Sequence, residues 1–221
     1  MRHICFLMLI TLFLTACASR PDSVSETDAD QQLIATHQAQ LADIDNWEFQ
    51  ARMAFFNFRD NERHSASIRW QQAPESLYIR ISHPLRGTLA QLEQQPGYAI
   101  LTDDDDNQYY ARDVSELLVQ NLNIYLPVEL INDALLGRHP GTRLLQPRYF
   151  EDGSLASYQV DVSEPGQASD RWSVLLSNYA AAQNHSALVP HSLELESSDY
   201  RIRLNISRWQ IISPEDETHY D

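Results

Sequence analysis

The chain has 221 residues, 43% of them hydrophobic, which suits one domain with a sizeable core. Its formal net charge is −15, and its 16 basic residues are all arginine. A chain this acidic argues against nucleic acid, whose phosphates require a basic footprint, and against a polybasic patch that docks on anionic lipid.

The first 16 residues have the features of a bacterial export signal. Arg2 gives the leading segment one fixed positive charge, and residues 4–14 follow as a run that is apolar apart from Thr11. That run is too short to cross a membrane, which takes about 20 residues. It ends in Leu-Thr-Ala before Cys17, which resembles the lipobox of bacterial lipoproteins. We therefore predict a signal peptide at 1–16 and lipidation of Cys17. The alternative is a buried helix with an incidental cysteine.

Lipidation of Cys17 would determine where the protein resides. Diacylglycerol on the thiol and a third chain on the new amine would anchor it permanently, because each buried CH₂ contributes about 0.8 kcal/mol. The next residue is Ala18, whereas an aspartate there would indicate retention in the inner membrane, so we expect the outer membrane. Cys5 would leave with the signal, and we expect no disulfide.

The chain after the signal divides into a tether, a long domain and a tail. Residues 17–30 are small, polar and acidic, which predicts a lipidated flexible tether. Residues 31–212 form the predicted domain, and residues 213–221 an acidic C-terminal tail. The domain begins with apolar residues near helical spacing, which predict a short amphipathic helix over 31–43.

Strands dominate the rest of the domain. From Trp47 onward, apolar residues recur at period two, the pattern of half-buried strands. We predict strands at 47–58, 65–70, 77–81, 88–94, 97–102, 107–112, 143–151, 154–162, 171–178, 191–197 and 200–211.

Two helices interrupt the strands midway. Asp113 to Glu116 resembles a capping box that begins the first helix. Pro127 is expected at the first position of the second helix, and Gly137 at its end. So many short antiparallel strands predict a sheet that curls or closes, with the helices covering an open face.

No catalytic or metal-binding arrangement is visible, so we predict neither an enzyme nor a cofactor or metal. Only 6 glycines are present, without a nucleophile elbow, a phosphate-cradling loop or paired zinc ligands. The acidic run 103–106 lacks the glycine and the terminal acid of a calcium loop, since Gln108 and Val114 stand there, and is interpreted as a solvated turn. Surface or capping roles are predicted for His64, His83, His139, His185 and His191.

One loop carries an unusual apolar residue. Leu85 lies between Pro84, which fixes φ, and Gly87, which permits a tight backbone. Two interpretations remain open from the residues alone. The leucine either folds back under the sheet, which is the commoner outcome, or forms an exposed tip that contacts lipid or a partner.

An ordered set of short segments carries a family resemblance. It comprises the lipobox at Cys17, His37–Leu41 leading to Trp47, Arg52 in Gln50–Ala54, Ser65–Trp70, Pro84-Leu85, Gln95–Gly97, Leu126–Val128 and Leu135–Gly137. Over roughly residues 31–210, this set resembles the LolB family of outer-membrane lipoprotein receptors.

The resemblance implies both a fold and a function. The fold is mainly β with helices, a half-open (incomplete) antiparallel β-barrel whose apolar cavity is covered by helices. The function is to accept acylated lipoprotein clients from a soluble LolA-like periplasmic carrier and to insert them into the inner leaflet of the outer membrane. The protein would be a monomer that faces the periplasm. The alternatives are a structural or assembly lipoprotein that binds protein partners without lipid transfer, and a tethered hydrolase.

The resemblance implies a role for one loop, and the residues themselves suggest a lid tether and a cavity lining. Leu85 aligns with an apolar residue that takes part in membrane insertion, in a loop with Pro84, Arg86 and Gly87. Arg52 is predicted to tether the helical lid, with a surface location as the alternative. The inward-facing apolar residues are predicted to line the cavity, with ordinary closed core as the alternative: Ile68, Trp70, Leu77, Ile79, Ile81, Leu89, Leu117 and Leu118.

The sequence departs from the family pattern at two positions. The family reads Pro-Leu-Gly at the loop, whereas Arg86 intervenes here, which predicts a longer loop or a different turn and a cation beside the apolar tip. The family has a tryptophan in the second lid helix before Leu-Leu-Gly, whereas Ala134 stands here, which predicts a looser lid or a larger cavity.

Overall fold

The computed structural model describes residues 24–25, 30–163 and 169–212. The predicted signal peptide, Cys17 and the acidic tail 213–221 lie outside the described residues. Within the predicted tether, Val24 and Ser25 form a short strand that was not predicted. No helix in the described part of the chain is long and apolar enough to span a membrane.

The described residues form twelve strands and three helices. In chain order they are β1 (Val24–Ser25), α1 (Gln31–Ala42), β2 (Trp47–Asn57), β3 (Glu62–Ala73), β4 (Ser76–His83), β5 (Gly87–Gln95), β6 (Tyr98–Asp103), β7 (Gln108–Ala111), α2 (Val114–Leu122), α3 (Val128–Leu136), β8 (Leu145–Phe150), β9 (Leu155–Val162), β10 (Asp170–Ala181), β11 (Leu188–Glu196) and β12 (Tyr200–Ile211). Every predicted helix and strand is present, with boundaries that shift by a few residues.

All of the strands belong to one antiparallel sheet. Its order is β1-β8-β9-β10-β11-β12-β2-β3-β4-β5-β6-β7, so the long strands β12 and β2 join the two halves of the domain. The edge strands β1 and β7 do not pair with each other in the described structure. The sheet is therefore an open barrel, which confirms the half-open architecture.

Strand alternation decides which face of the sheet is apolar. On β12, Ile202, Leu204 and Ile206 are buried, and the residues between them point outward. Ile202 pairs with Phe55 of β2, and Leu204 pairs with Met53. The inner face is therefore apolar across neighbouring strands, and the helices lie against it.

Aromatic rings close one end of the inner face. Trp209 lies 5.4 Å from Trp47 and 5.2 Å from Phe49, measured between ring centroids. Trp70 packs against the same two residues, at 6.1 and 6.0 Å. Aromatic pairs at these separations stabilise a core beyond the area that they bury. This cluster fills that end of the inner face with packed side chains.

The helix ends follow the capping rules with two small differences. The Asp113 carboxylate accepts the backbone N–H of Glu116 at 2.8 Å, as predicted. The Glu116 carboxylate accepts the N–H of Arg112 instead of the N–H of the cap residue. Pro127 precedes α3 and is not its first residue. Gly137 ends α3 with φ +76°, a left-handed conformation that glycine adopts without a steric penalty.

Candidate functional site

An apolar cavity of about 670 Å³ lies between the inner face of the sheet and the helices α2 and α3. This volume falls within the range of small-molecule sites. Its lining is predominantly apolar and comes from β2 to β5, β12, α2, α3 and the segment between the two helices. The apolar residues are Met53, Phe55, Ala66, Ile68, Trp70, Ile79, Ile81, Leu89, Leu92, Val114, Leu118, Leu122, Ile124, Leu126, Val128, Ile131, Ile202 and Leu204.

Six of the eight predicted cavity residues line this space, namely Ile68, Trp70, Ile79, Ile81, Leu89 and Leu118. The prediction is wrong for Leu77 and Leu117, which are as buried as Ile79 but do not line the cavity. Leu77 lies at the start of β4, opposite Gln72, two residues deeper than Ile79. Depth along the strand therefore separates core from cavity on the same apolar face.

The sequence analysis did not predict the other residues that line the cavity. Ile124 and Leu126 come from the short segment between the two lid helices, which has no periodicity. Ile202 and Leu204 come from β12, whose alternation was visible but gave no sign of a hollow beside it. The half-exposed Leu122 ends α2 beside the cavity.

Polar side chains surround the mouth of the cavity. At the β2–β3 turn, Asn57 donates from Nδ2 to Oδ2 of Asp60 at 2.7 Å, and His64 Nε2 lies 3.2 Å from a carboxylate oxygen of Glu62. His83, from the end of β4, also lines the space. The cavity thus has an apolar interior and a polar entrance, an arrangement suited to an amphiphile.

The predicted surface and capping roles hold for four of the five histidines. His64 is exposed, and the Nδ1 atoms of His83 and His185 accept backbone N–H groups two residues further along. His191 is half-buried and within hydrogen-bonding distance of a local backbone carbonyl. His139 differs because its Nε2 lies 3.1 Å from the Tyr149 hydroxyl in a partly buried cluster.

Leu85 is the most exposed large apolar side chain in the described structure, at 91%. Its own N–H donates to His83 Nδ1 at 3.2 Å, and the N–H of Arg86 donates to the His83 carbonyl at 3.2 Å. Gly87 closes the loop with φ +79°. The hydrogen bonds to His83 therefore fix the loop backbone while the Leu85 side chain extends into solvent. This excludes the interpretation in which Leu85 folds under the sheet.

The inserted cation of this loop is paired. Arg86 Nη2 donates to Oδ2 of Asp104 at 2.8 Å. In the same turn, hydrogen bonds from Asn107, then from the Asp105 N–H and Tyr109, hold the pKa of Asp103 below its ordinary value, although desolvation opposes them. The acidic run forms a hairpin turn as predicted, and no group of three metal-ligating side chains occurs among the described residues.

Comparison with known proteins identifies the fold and the family. Residues 45–209 match the family described as Outer membrane lipoprotein LolB. The chain belongs to the LolB family. It is 27% identical to the outer-membrane lipoprotein LolB of Psychromonas ingrahamii over 91% of this chain and 93% of that protein. It is 29% identical to the LolB of Erwinia tasmaniensis over 93% and 94% of the two chains.

A solved structure shares the architecture of this LolB-family chain. The crystal structure of a LolA superfamily protein from Nitrosomonas europaea superposes with a TM-score of 0.51 at 10% identity, covering 87% of this chain and 98% of that one. At this identity the likeness concerns the fold alone. It agrees with the open, barrel-like sheet described above.

Arg52 does not tether the helical lid in the described structure. It is exposed and pairs across the sheet with Ser67 and Asn205. Its neighbours Ala51 and Met53 point inward, so Arg52 lies on the outer face, opposite the helices. The prediction failed because strand 47–58 carries aromatic residues on both faces, which obscures the direction of Arg52.

Other residues attach the lid to the sheet. The N–H of Val114, at the start of α2, donates to Oε1 of Gln94 on β5 at 2.8 Å. The Tyr200 hydroxyl, on β12, donates to the carbonyl of Asn123 at the end of α2, at 3.4 Å. Ala134 is fully buried and is not among the residues that line the cavity.

Proposed function

We propose that this LolB-family protein accepts acylated lipoproteins from a soluble periplasmic carrier and inserts them into the inner leaflet of the outer membrane. The observation that supports this function best is the combination of an open apolar cavity with an exposed Leu85 on a neighbouring loop. His83 and Arg86, which flank Leu85, also line the cavity mouth. A path for acyl chains would thus run from a sheltered space to an apolar tip.

Burial of acyl chains supplies the energy for such a transfer. Each CH₂ removed from water contributes about 0.8 kcal/mol, so a carrier and a receptor must both cover the chains. A receptor that binds them better by about 1.4 kcal/mol favours transfer tenfold. No nucleotide is then required at this step, because affinity that increases along the route gives the direction.

The loop and the anchor have separate roles in this proposal. Leu85 lies exposed at a cost that its entry into lipid would recover, since burying a leucine side chain contributes about 1.5–3 kcal/mol. Lipid on Cys17 would keep the cavity beside the leaflet into which it unloads. The protein would act as a monomer with a LolA-like carrier, its acylated clients and outer-membrane lipid as partners.

A transfer assay tests the proposal. A soluble form that begins at Ala18 lacks Cys17 and contains every described helix and strand. It would be mixed with carrier loaded with an acylated client, and client should move to it in the absence of membrane. If no client moves, the receptor function fails, and the assembly lipoprotein without lipid transfer becomes the better interpretation.

A pair of substitutions on α2 assigns uptake to the cavity. Leu118→Arg places a charge inside the cavity, whereas Val119→Arg places it on the neighbouring exposed position outside the lining. Uptake should fall at least tenfold for Leu118→Arg and stay near wild type for Val119→Arg, with circular dichroism confirming that both fold. Equal uptake by the two variants would contradict a cavity-based mechanism.

A further inference from the structure

The outer face of the sheet carries two polar rows that cross neighbouring strands near the Leu85 loop. In the first row, Arg52 pairs with Asn205 on one side and Ser67 on the other, and Ser67 then pairs with Ser82, which pairs with Thr88. The row therefore places one guanidinium beside three hydroxyl groups. Cross-strand partners lie about 5 Å apart, so these groups form a continuous surface.

The second row is richer in cations. Arg69 pairs directly with Arg80, and Gln50 lies between Arg69 and Arg208. Like charges that face each other directly across strands destabilise a sheet, so this arrangement has a cost. Part of the cost is offset by the Glu48 carboxylate, which accepts from Arg69 at 2.8 Å.

The other cations of these two rows are available to a ligand. Arg52, Arg80 and Arg208 are exposed, and none of them has a carboxylate partner among the described residues. Arg80 donates from Nε and Nη2 to the Thr88 hydroxyl at 3.1 and 2.6 Å, which holds its guanidinium in place and leaves Nη1 free. A groove of about 730 Å³ runs between the two rows, and no carboxylate lies among the described residues that line it.

This surface contrasts with the rest of the chain. The protein has a net charge of −15, which at the level of composition argues against a basic docking patch. Folding nevertheless brings Arg52, Arg69 and Arg80 onto one face from three different strands. Net charge therefore does not describe the lining of this groove, where cations and hydroxyls meet and the nearby Glu48 pairs with Arg69.

The groove adjoins the loop that carries Leu85. Ser82 and Gly87, which flank the Leu85 loop, both line it. Strands rise about 3.3 Å per residue, so the first row lies on the order of 10 Å from Leu85 along the strand direction. When an apolar side chain enters the hydrocarbon boundary, a surface at this distance faces the headgroup region of the same leaflet.

We propose that this outer face binds the phosphate groups of membrane lipids while Leu85 contacts the acyl region, an inference that rests on the proposed delivery into membrane. Guanidinium groups bind phosphate through two parallel N–H donors, and hydroxyls complete the hydrogen bonding. The two features together would orient the open sheet on the membrane surface, with the cavity mouth next to the lipid.

Vesicle binding tests the proposal directly. The soluble form from Ala18 would be floated with vesicles of phosphatidylglycerol and phosphatidylcholine, in parallel with its Arg52→Gln/Arg80→Gln variant. We expect the variant to bind about tenfold more weakly, because each arginine near an anionic surface contributes to attraction. The wild-type affinity should fall at raised salt, which screens exposed charges.

A second double variant controls for net charge. Arg143→Gln/Arg171→Gln removes the same two charges from exposed positions elsewhere, and it should bind the vesicles like the wild type. Equal weakening of both double variants, or no weakening of either, would overturn the proposal. Unchanged vesicle binding with a loss of uptake from the carrier would overturn it too, and would assign the face to an acidic protein surface.

The same preparation separates this proposal from the proposed function. Wild-type protein that accepts client but does not bind the vesicles would retain the receptor function and overturn the phosphate surface. Wild-type protein that binds the vesicles through Arg52 and Arg80 but accepts no client would support the phosphate surface and overturn the receptor function.

Discussion

The guanidinium of Arg86 donates to the Asp104 carboxylate at 2.8 Å and so joins the loop that carries Leu85 to the turn between β6 and β7. The two side chains are 64% and 44% exposed, and exposed ion pairs contribute only about 0–1 kcal/mol to stability. The pair therefore restrains the loop more than it stabilises the fold. The residue that departs from the family pattern has thus gained a specific partner.

Asp104→Asn should loosen the Leu85 loop without unfolding the protein. We expect the free energy of unfolding to change by less than about 1 kcal/mol in urea. Hydrogen exchange at the amides of Leu85 and Arg86 should accelerate several-fold, because the loop loses its contact with the turn. Asp105→Asn is the matched control, since its carboxylate lies in the same turn without contacting Arg86. The same acceleration in both variants would contradict the role of the ion pair.

Leu85→Glu should separate uptake from delivery. Because Leu85 is almost fully exposed, the substitution should change stability by no more than about 0.5 kcal/mol. Uptake from the carrier should persist, while delivery of the client into vesicles should fall by tenfold or more. Leu175→Glu changes another exposed leucine, on β10, and should leave both steps intact. Unchanged delivery by Leu85→Glu would remove this residue from the mechanism.

The fold followed from sequence patterns more completely than the site did. Alternation on β12 and the caps of α2 depend on neighbours close in the chain, so the sequence displays them directly. Leu77 and Ile79 are both buried on the same apolar face, and only Ile79 borders the cavity, which also has α2 and α3 in its lining. That relation involves residues distant in sequence, and periodicity does not report it.

The cationic character of the outer face could not be predicted from the sequence for a similar reason. Phe56 points outward on β2, where the guanidinium of Arg63 covers its ring at 5.0 Å from the centroid. An aromatic residue stabilised on the solvent side makes the strand appear apolar on both faces, which led to the wrong role for Arg52. The cationic rows also arise only from cross-strand pairing, so a sum of charges over the sequence does not reveal them.

Trp70 should report ligands inside the cavity. It is the one tryptophan among the lining residues, and its indole N–H has no protein acceptor in the described structure. A brominated fatty acid should quench the protein fluorescence, and Trp70→Phe should remove most of this quenching. Trp172→Phe is the control because Trp172 is fully buried outside the lining. An equal reduction by the two variants would place the fatty acid elsewhere.

His139 should make stability depend on pH. Burial lowers the pKa of His139 below its ordinary value of 6.5, and the nearby His37 lowers it further. The unfolded chain therefore takes up this proton at higher pH than the folded protein does. The folded state is therefore favoured by neutral His139 above about pH 6.5, and this contribution to the free energy of unfolding is lost as pH falls toward the depressed pKa.

Unfolding in urea at about pH 7 and about pH 5.5 measures this effect. The wild type should lose stability at the lower pH, and His139→Gln should reduce that loss. His64→Gln serves as the control because His64 is exposed at the cavity mouth. A pH dependence that survives unchanged in His139→Gln would assign the effect to other groups.

Gly153 allows α1 to approach the turn between β8 and β9 at a distance that no other residue permits. Its φ is +84°, and a Cβ atom there would lie 2.4 Å from the carbonyl carbon of Leu33 and 2.6 Å from the nitrogen of Ile34. Gly153→Ala should therefore displace the helix and cost about 3 kcal/mol of unfolding free energy. Gly97→Ala has the same φ but open space around the new methyl group, so only the backbone penalty of about 1 kcal/mol applies. Similar losses in urea unfolding for the two variants would mean that backbone conformation, and not contact with α1, explains the glycine at position 153.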